Sequence, residues 1–232
     1  MHDFLRQSIP EALAHTGKDT FDSHLQGVET ILRLWNAKDE VCRAGLFHSI
    51  YGTEAFQGFK LALENRPRLR DLIGCKAERL AWIFCVVDRK TVDVTLYEPE
   101  YLQNQPLHGI QFYARPELGR FPIPLEDEEE WLDFLELSLA DWLEQVEGAA
   151  LKENKLFGWK KGEAWSYRRR AFARMAEVLV ERRGERLRAA KEMFEEVFAM
   201  EPAETRGLHQ EITPPMSDAA REARLALESI NL

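Results

Sequence analysis

Two imidazoles and a carboxylate, His24, His48 and Asp88, are the side chains of this sequence best suited to chemistry. Each falls on the apolar side of its own candidate helix. A metal site asks for two or three N or O ligands on separate, rigid, buried elements, with a position left open to water. His48 lies in the stretch Ala44 to Glu54, AGLFHSIYGTE, where an apolar run ends in a histidine and is followed by a hydroxyl, an aromatic, a glycine turn and a carboxylate. A histidine that ends a buried helix must find a hydrogen-bond partner or a metal. Alone it reads as a satisfied core histidine; His24 before it and Asp88 after it favour a ligand. Glu54 is a candidate general base or further carboxylate ligand, its plainer role being a charge at a helix N-terminus. Glu78 is a second spare carboxylate and His15 a reserve imidazole. Arg66, Arg89 or Lys90 would hold an anion.

The elements that must position these groups are helices. Phe21, His24, Leu25, Val28, Ile31, Leu32 and Trp35 follow the i, i+3, i+4, i+7 spacing of an amphipathic helix, which points His24 into the core. A second helix is expected from Lys38 to Ser49, broken by Gly52. Shorter ones follow over 54–63 and 66–72, then a strong one, KAERLAWIFCVVD, over 76–88. Asp88 thus ends a buried helix, at the wrong end of the dipole, and wants a compensating cation, either Arg89 or a metal. From Thr91 to Leu125 the helical period fails, and QFYAR with RFPIPL reads as a small hairpin or flap. A helix from Asp127 to Val146 closes a first domain over residues 1–150.

Residues 163–232 form a C-terminal helical appendage. Ala190, Phe194 and Pro202 have the spacing of the second helix of a tetratricopeptide repeat, although a plain helical hairpin explains them as well. Residues 3–14 make at best a helix broken by Pro10, and Ser217 with Asp218 cap a final helix near the end of the chain. The fold class is all-α, with a hairpin insertion.

A net charge of -9 argues against a nucleic-acid partner. No run approaches the ~20 apolar residues of a membrane span, and no signal peptide is visible, so a soluble cytoplasmic protein is expected. Cys42, Cys75 and Cys85 include no CxxC pair, which argues against a disulfide scaffold or thiolate zinc site. Residues 126–147 hold ten acidic residues and no Lys or Arg, while 160–191 hold eleven basic residues against four acidic ones. The basic segment could bind phosphate or a partner protein, or the two helices could simply face one another.

With His24, His48 and Asp88 on separate helices, residues 10–150 resemble the HD-domain superfamily, an all-α bundle holding metal through an H…HD…D ligand set. The string AGLFHSIYGTE also resembles an uncharacterised family related to that superfamily. The resemblance implies metal ligation by His24, His48 and Asp88 and metal-dependent hydrolysis of a phosphoester. Ser49 stands where the superfamily has the Asp of its HD pair. A serine hydroxyl stays protonated near neutral pH and bridges two ions poorly, so one divalent transition metal (Fe, Mn or Zn) is expected. Three functions follow: a mononuclear hydrolase acting on a small anionic substrate, an HD-type non-haem iron oxygenase, or a non-catalytic binding module whose C-terminal helices meet a protein partner.

Overall fold

The computed structural model describes residues 21–53, 60–97, 111–155 and 157–206. His15, Glu54, the broken helix of residues 3–14, most of the helix expected over 54–63 and the final capped helix lie outside them. The described chain is all-α with one small hairpin inserted. None of its helices is long and apolar enough to cross a membrane.

Helices α1 (Phe21–Leu34) and α2 (Asp39–Phe47) form an antiparallel pair. Asn36 ends α1 at φ 54°, and the bonds Asn36 N to Arg33 O and Ala37 N to Leu32 O, both 3.0 Å, complete a left-handed stop that asparagine tolerates. The pair can close because α2 carries glycine at its contact with α1. A Cβ at Gly45 would stand 2.6 Å from Leu32 Cδ1. Helices α3 (Arg66–Ile73) and α4 (Cys75–Val86) are hinged at Gly74, whose φ of 93° suits glycine alone.

The chain leaves α4 at Val87 in extended conformation and bridges Ala114 of the hairpin. It then turns helical again. Thr91 to Tyr97, where the helical period fails in the sequence, belong to α5 (Arg89–Tyr97). The Asp88 carboxylate accepts from Lys90 N at 3.0 Å and so caps this helix. Thr91 and Thr95 return their hydroxyls to Asp88 O and Val92 O, at 2.8 and 2.7 Å, so these buried threonines stay satisfied. Packing has overridden β-propensity here.

Strands β1 (Gln111–Tyr113) and β2 (Pro122–Pro124) pair antiparallel, with Phe112 opposite Ile123. Both of these residues are buried, while Pro122 and Pro124 lie exposed, as prolines do in an edge strand. Helix α6 (Glu128–Ala150) is capped by Asp127, which accepts from Glu130 N at 2.8 Å, and it runs through the centre of the molecule. On it pack α7 (Arg169–Arg183) and α8 (Arg188–Ala199). Trp142 of α6 stacks on Phe172 of α7, centroids 5.6 Å apart. Glu136, fully buried, takes both Arg183 and Arg186, and Arg183 also reaches Glu129 and Asp133. The acidic face of α6 and the basic segment after it are therefore partners at these positions. Ala190 is buried, and Phe194 lies 4.5 Å from Phe198, within one apolar cluster that runs from Leu25 to Phe198.

Candidate metal centre

His24 and His48 are brought together, and the carboxylate that joins them is Asp141. His24 projects from α1 and His48 caps the C-terminus of α2. Asp141 comes from the middle of α6, which packs across both. His24 Nε2 lies 3.2 Å from His48 Nε2 and 3.2 Å from Asp141 Oδ1, and His48 Nε2 lies 3.1 Å from the same oxygen. Three ligand atoms thus form a nearly equilateral triangle.

That triangle has the size of a coordination face. With bonds of about 2.1 Å, ligand atoms stand about 3.0 Å apart at right angles and about 3.4 Å apart in a tetrahedron. The observed edges fall between, so the spacing of the three atoms matches the coordination sphere of one ion. His48 is fully buried, while the side chains of His24 and Asp141 keep 21% and 15% of their surface exposed.

The unused nitrogen of each ring is also held. His48 Nδ1 donates to Gly45 O at 2.7 Å, which turns Nε2 towards the triangle. His24 Nδ1 donates to the Glu144 carboxylate. This is the arrangement found around metal-bound histidines, where an outer acceptor sets tautomer and orientation. The His48 ring also meets Phe84 edge-on at 4.9 Å, and its backbone carbonyl accepts from Cys85 Sγ at 3.0 Å.

Charge completes the description. Burial disfavours the protonated form of His24, but hydrogen bonds and Coulomb attraction to Asp141 and Glu144 outweigh it and push the ring up to about 10. Burial likewise opposes ionisation of Asp141, yet His48 and His24 hold its carboxyl well below the usual carboxylate range. The cluster favours a cation: a proton on His24 or a metal in its place.

Asp88 stands apart from this cluster. Its carboxylate caps α5 and faces Arg120 at 3.6 Å. The helix before it has already ended, so the carboxylate meets the favourable, N-terminal end of the next dipole. Glu78, Arg66 and Arg89 have their own partners. Glu78 is fully buried and takes Tyr51 Oη at 2.8 Å, Arg66 at 2.6 and 3.0 Å, and Arg70 at 2.8 Å. It ties the turn after His48 to α3. Arg66 also lies over Trp82 at 4.5 Å. Arg89 lies 4.0 Å over the Phe84 ring, on the aromatic that His48 touches, and donates to Phe84 O at 3.2 Å.

Asp141 and Glu144 escaped the sequence reading because they sit among the ten acids of 126–147. Their signal is an Asp three residues before a Glu, with Leu139, Ala140, Trp142 and Leu143 around them.

A family model described as a domain of unknown function, DUF6817, matches residues 4–89, which include His24 and His48 but neither Asp141 nor Glu144. No curated protein and no solved structure matches the chain.

Proposed function

We propose that this protein is a mononuclear metal-dependent enzyme of the HD-superfamily type, a hydrolase acting in the cytoplasm on a small phosphoester or similarly anionic substrate. The triangle of His24 Nε2, His48 Nε2 and Asp141 Oδ1, with edges of 3.1–3.2 Å, carries this reading. The order of these residues along the chain, His, His, Asp, also follows the superfamily pattern, with Asp141 now in the last position.

A divalent ion bound there would lower the pKa of a coordinated water towards neutrality and offset charge developing on the substrate. The protein's own groups do the rest. His48, fixed by Gly45 O, and His24, fixed by Glu144, present neutral nitrogens to one face. Asp141 is the only carboxylate of the triangle, so two neutral ligands and one anion leave a divalent centre with net positive charge. That suits an anionic substrate. Arg89, across Phe84 from His48, adds positive potential on that side. Ser49 offers no bridging charge, which favours one ion over two.

A second reading is favoured by the same edges. They lie close to those of three adjacent octahedral corners, the two-His-one-carboxylate arrangement that leaves positions for substrate and dioxygen on Fe(II). Elemental analysis of the full chain as purified separates the alternatives, combined with p-nitrophenyl phosphate hydrolysis under Zn, Mn and Fe and with oxygen uptake under Fe. A stoichiometric ion with phosphoester turnover supports the hydrolase, and iron with oxygen consumption supports the oxygenase. Failure to retain or bind any of the three ions would leave only a binding module.

A further inference from the structure

Gly27 follows His24 by one turn on α1, in ordinary helical backbone. Glycine in a helix interior is unfavourable relative to alanine, so its presence wants a local reason. Space supplies one. A Cβ at Gly27 would lie 2.6 Å from Glu144 Oε1, 2.9 Å from its Cγ and 3.0 Å from its carboxyl carbon. Glu144 reaches from α6 across the bare backbone of Gly27 to bond His24 Nδ1.

We infer that Gly27 and Glu144 form a positioning pair for His24: the glycine leaves a notch in α1, and the carboxylate passing through it holds the ring with Nε2 towards Asp141 and His48. Glu144 itself is not a ligand in this geometry, because it bonds the ring nitrogen on the side away from the triangle. The atoms a Cβ would meet belong to a flexible side chain, so alanine at 27 displaces Glu144 and leaves the helix intact. The inference rests on the metal reading for its consequence but not for its geometry.

Zn(II) and Fe(II) affinities of the full chain, measured by competition with a chromophoric chelator, test it together with the ring nitrogens of His24 observed by NMR in the metal-free protein. Gly27→Ala should weaken metal binding roughly ten- to a hundredfold, the usual effect of losing an outer partner of a histidine ligand. Its helical content by circular dichroism should match that of the parent, because alanine favours helix and only the Glu144 side chain has to move. Glu144→Ala should do the same to affinity, and the double variant should be no weaker than either single one. The downfield Nδ1 proton of His24 should vanish in all three. Unchanged affinity and an unchanged Nδ1 signal in Gly27→Ala would overturn the inference, as would losses that add in the double variant. If Gly27→Ala folds poorly, Glu144→Asp poses the same question by shortening the reach, and parental affinity in it would be equally fatal. If the parent binds neither ion, the metal reading fails, and the Nδ1 signal alone then decides whether Gly27 and Glu144 position the ring.

Discussion

Asp141 Oδ1 lies 3.1 Å from His48 Nε2, whereas the Asp88 carboxylate is spent on capping α5. The two aspartates therefore respond differently to removal. Asp141→Asn should lower metal affinity by at least tenfold, since it removes the one charged ligand. Asp88→Ala should leave metal binding as it was and cost about 1 kcal/mol of stability, the usual worth of an N-cap. Chelator competition and urea denaturation on the same two variants give the answer, and loss of metal from Asp88→Ala with retention in Asp141→Asn would reverse the assignment.

The pH dependence of the metal-free protein follows from His24. Folding raises its value from 6.5 to about 10, chiefly through Asp141 and Glu144 acting against burial. Its contribution to stability is fully present below about pH 6.5 and fades as pH rises to about 10. Asp141 is shifted the other way, so its contribution is present above its ordinary 3.8 and fades as pH falls below that. Thermal midpoints of the metal-free chain should thus decline from pH 6.5 to 10, and His24→Gln should flatten that decline. Metal affinity should rise over the same interval, because the ion displaces the His24 proton. Parallel pH profiles for parent and His24→Gln would contradict the account.

Gly45 sets how closely α1 and α2 approach. In Gly45→Ala the new methyl meets Leu32 Cδ1 at 2.6 Å and Val28 Cγ1 at 3.4 Å. Overpacking of this kind costs about 1–3 kcal/mol, partly offset by the better helix propensity of alanine. A net loss of about 1–2 kcal/mol in chemical denaturation is expected, together with weaker metal binding as His24 is moved off His48. A more stable variant with parental affinity would show that the helices have slack at this point.

Glu78 is fully buried against Arg66, Arg70 and Tyr51. Glu78→Ala strands Arg66, while Arg70, 42% exposed, can turn to water, so a loss of about 3 kcal/mol is expected, at the low end for a broken buried pair. Tyr51→Phe removes one hydrogen bond to a charged acceptor and should cost about 1.5–2 kcal/mol. Denaturation midpoints in guanidinium report both. Equal losses in the two variants would mean that the arginines contribute nothing.

His24 and His48 were legible in the sequence because each lies on an apolar stripe that only a helix period explains. Asp141 lies on such a stripe too, but its neighbours in the acidic run hide it: periodicity says which face is buried, not which buried carboxylate meets which histidine. Helix α5 was illegible for another reason. Thr91, Val92, Val94 and Thr95 are strand formers, and their burial in the core, which local propensity does not encode, holds them helical behind the Asp88 cap. The hairpin was legible because β-branched, aromatic and proline residues replace the helical period on either side of the PELG turn.

The thiol of Cys85, bonded to the His48 carbonyl, gives the candidate metal centre a clock. Burial pushes this thiol up to about 12 even though a hydrogen bond to the Tyr51 backbone, and then Arg89 and Arg115, pull it back, and the thiolate is the form that alkylates. In the closed protein Cys85 therefore lacks both the reactive form and access to reagent, while Cys75 is exposed and labels at once as an internal standard. Modification of Cys85 has to wait until α2 parts from α4, so its half-time measures how often that seam opens. An ion that ties α2 to α1 and α6 should lengthen that half-time, making occupancy of the site readable from a mass spectrum without a substrate in hand.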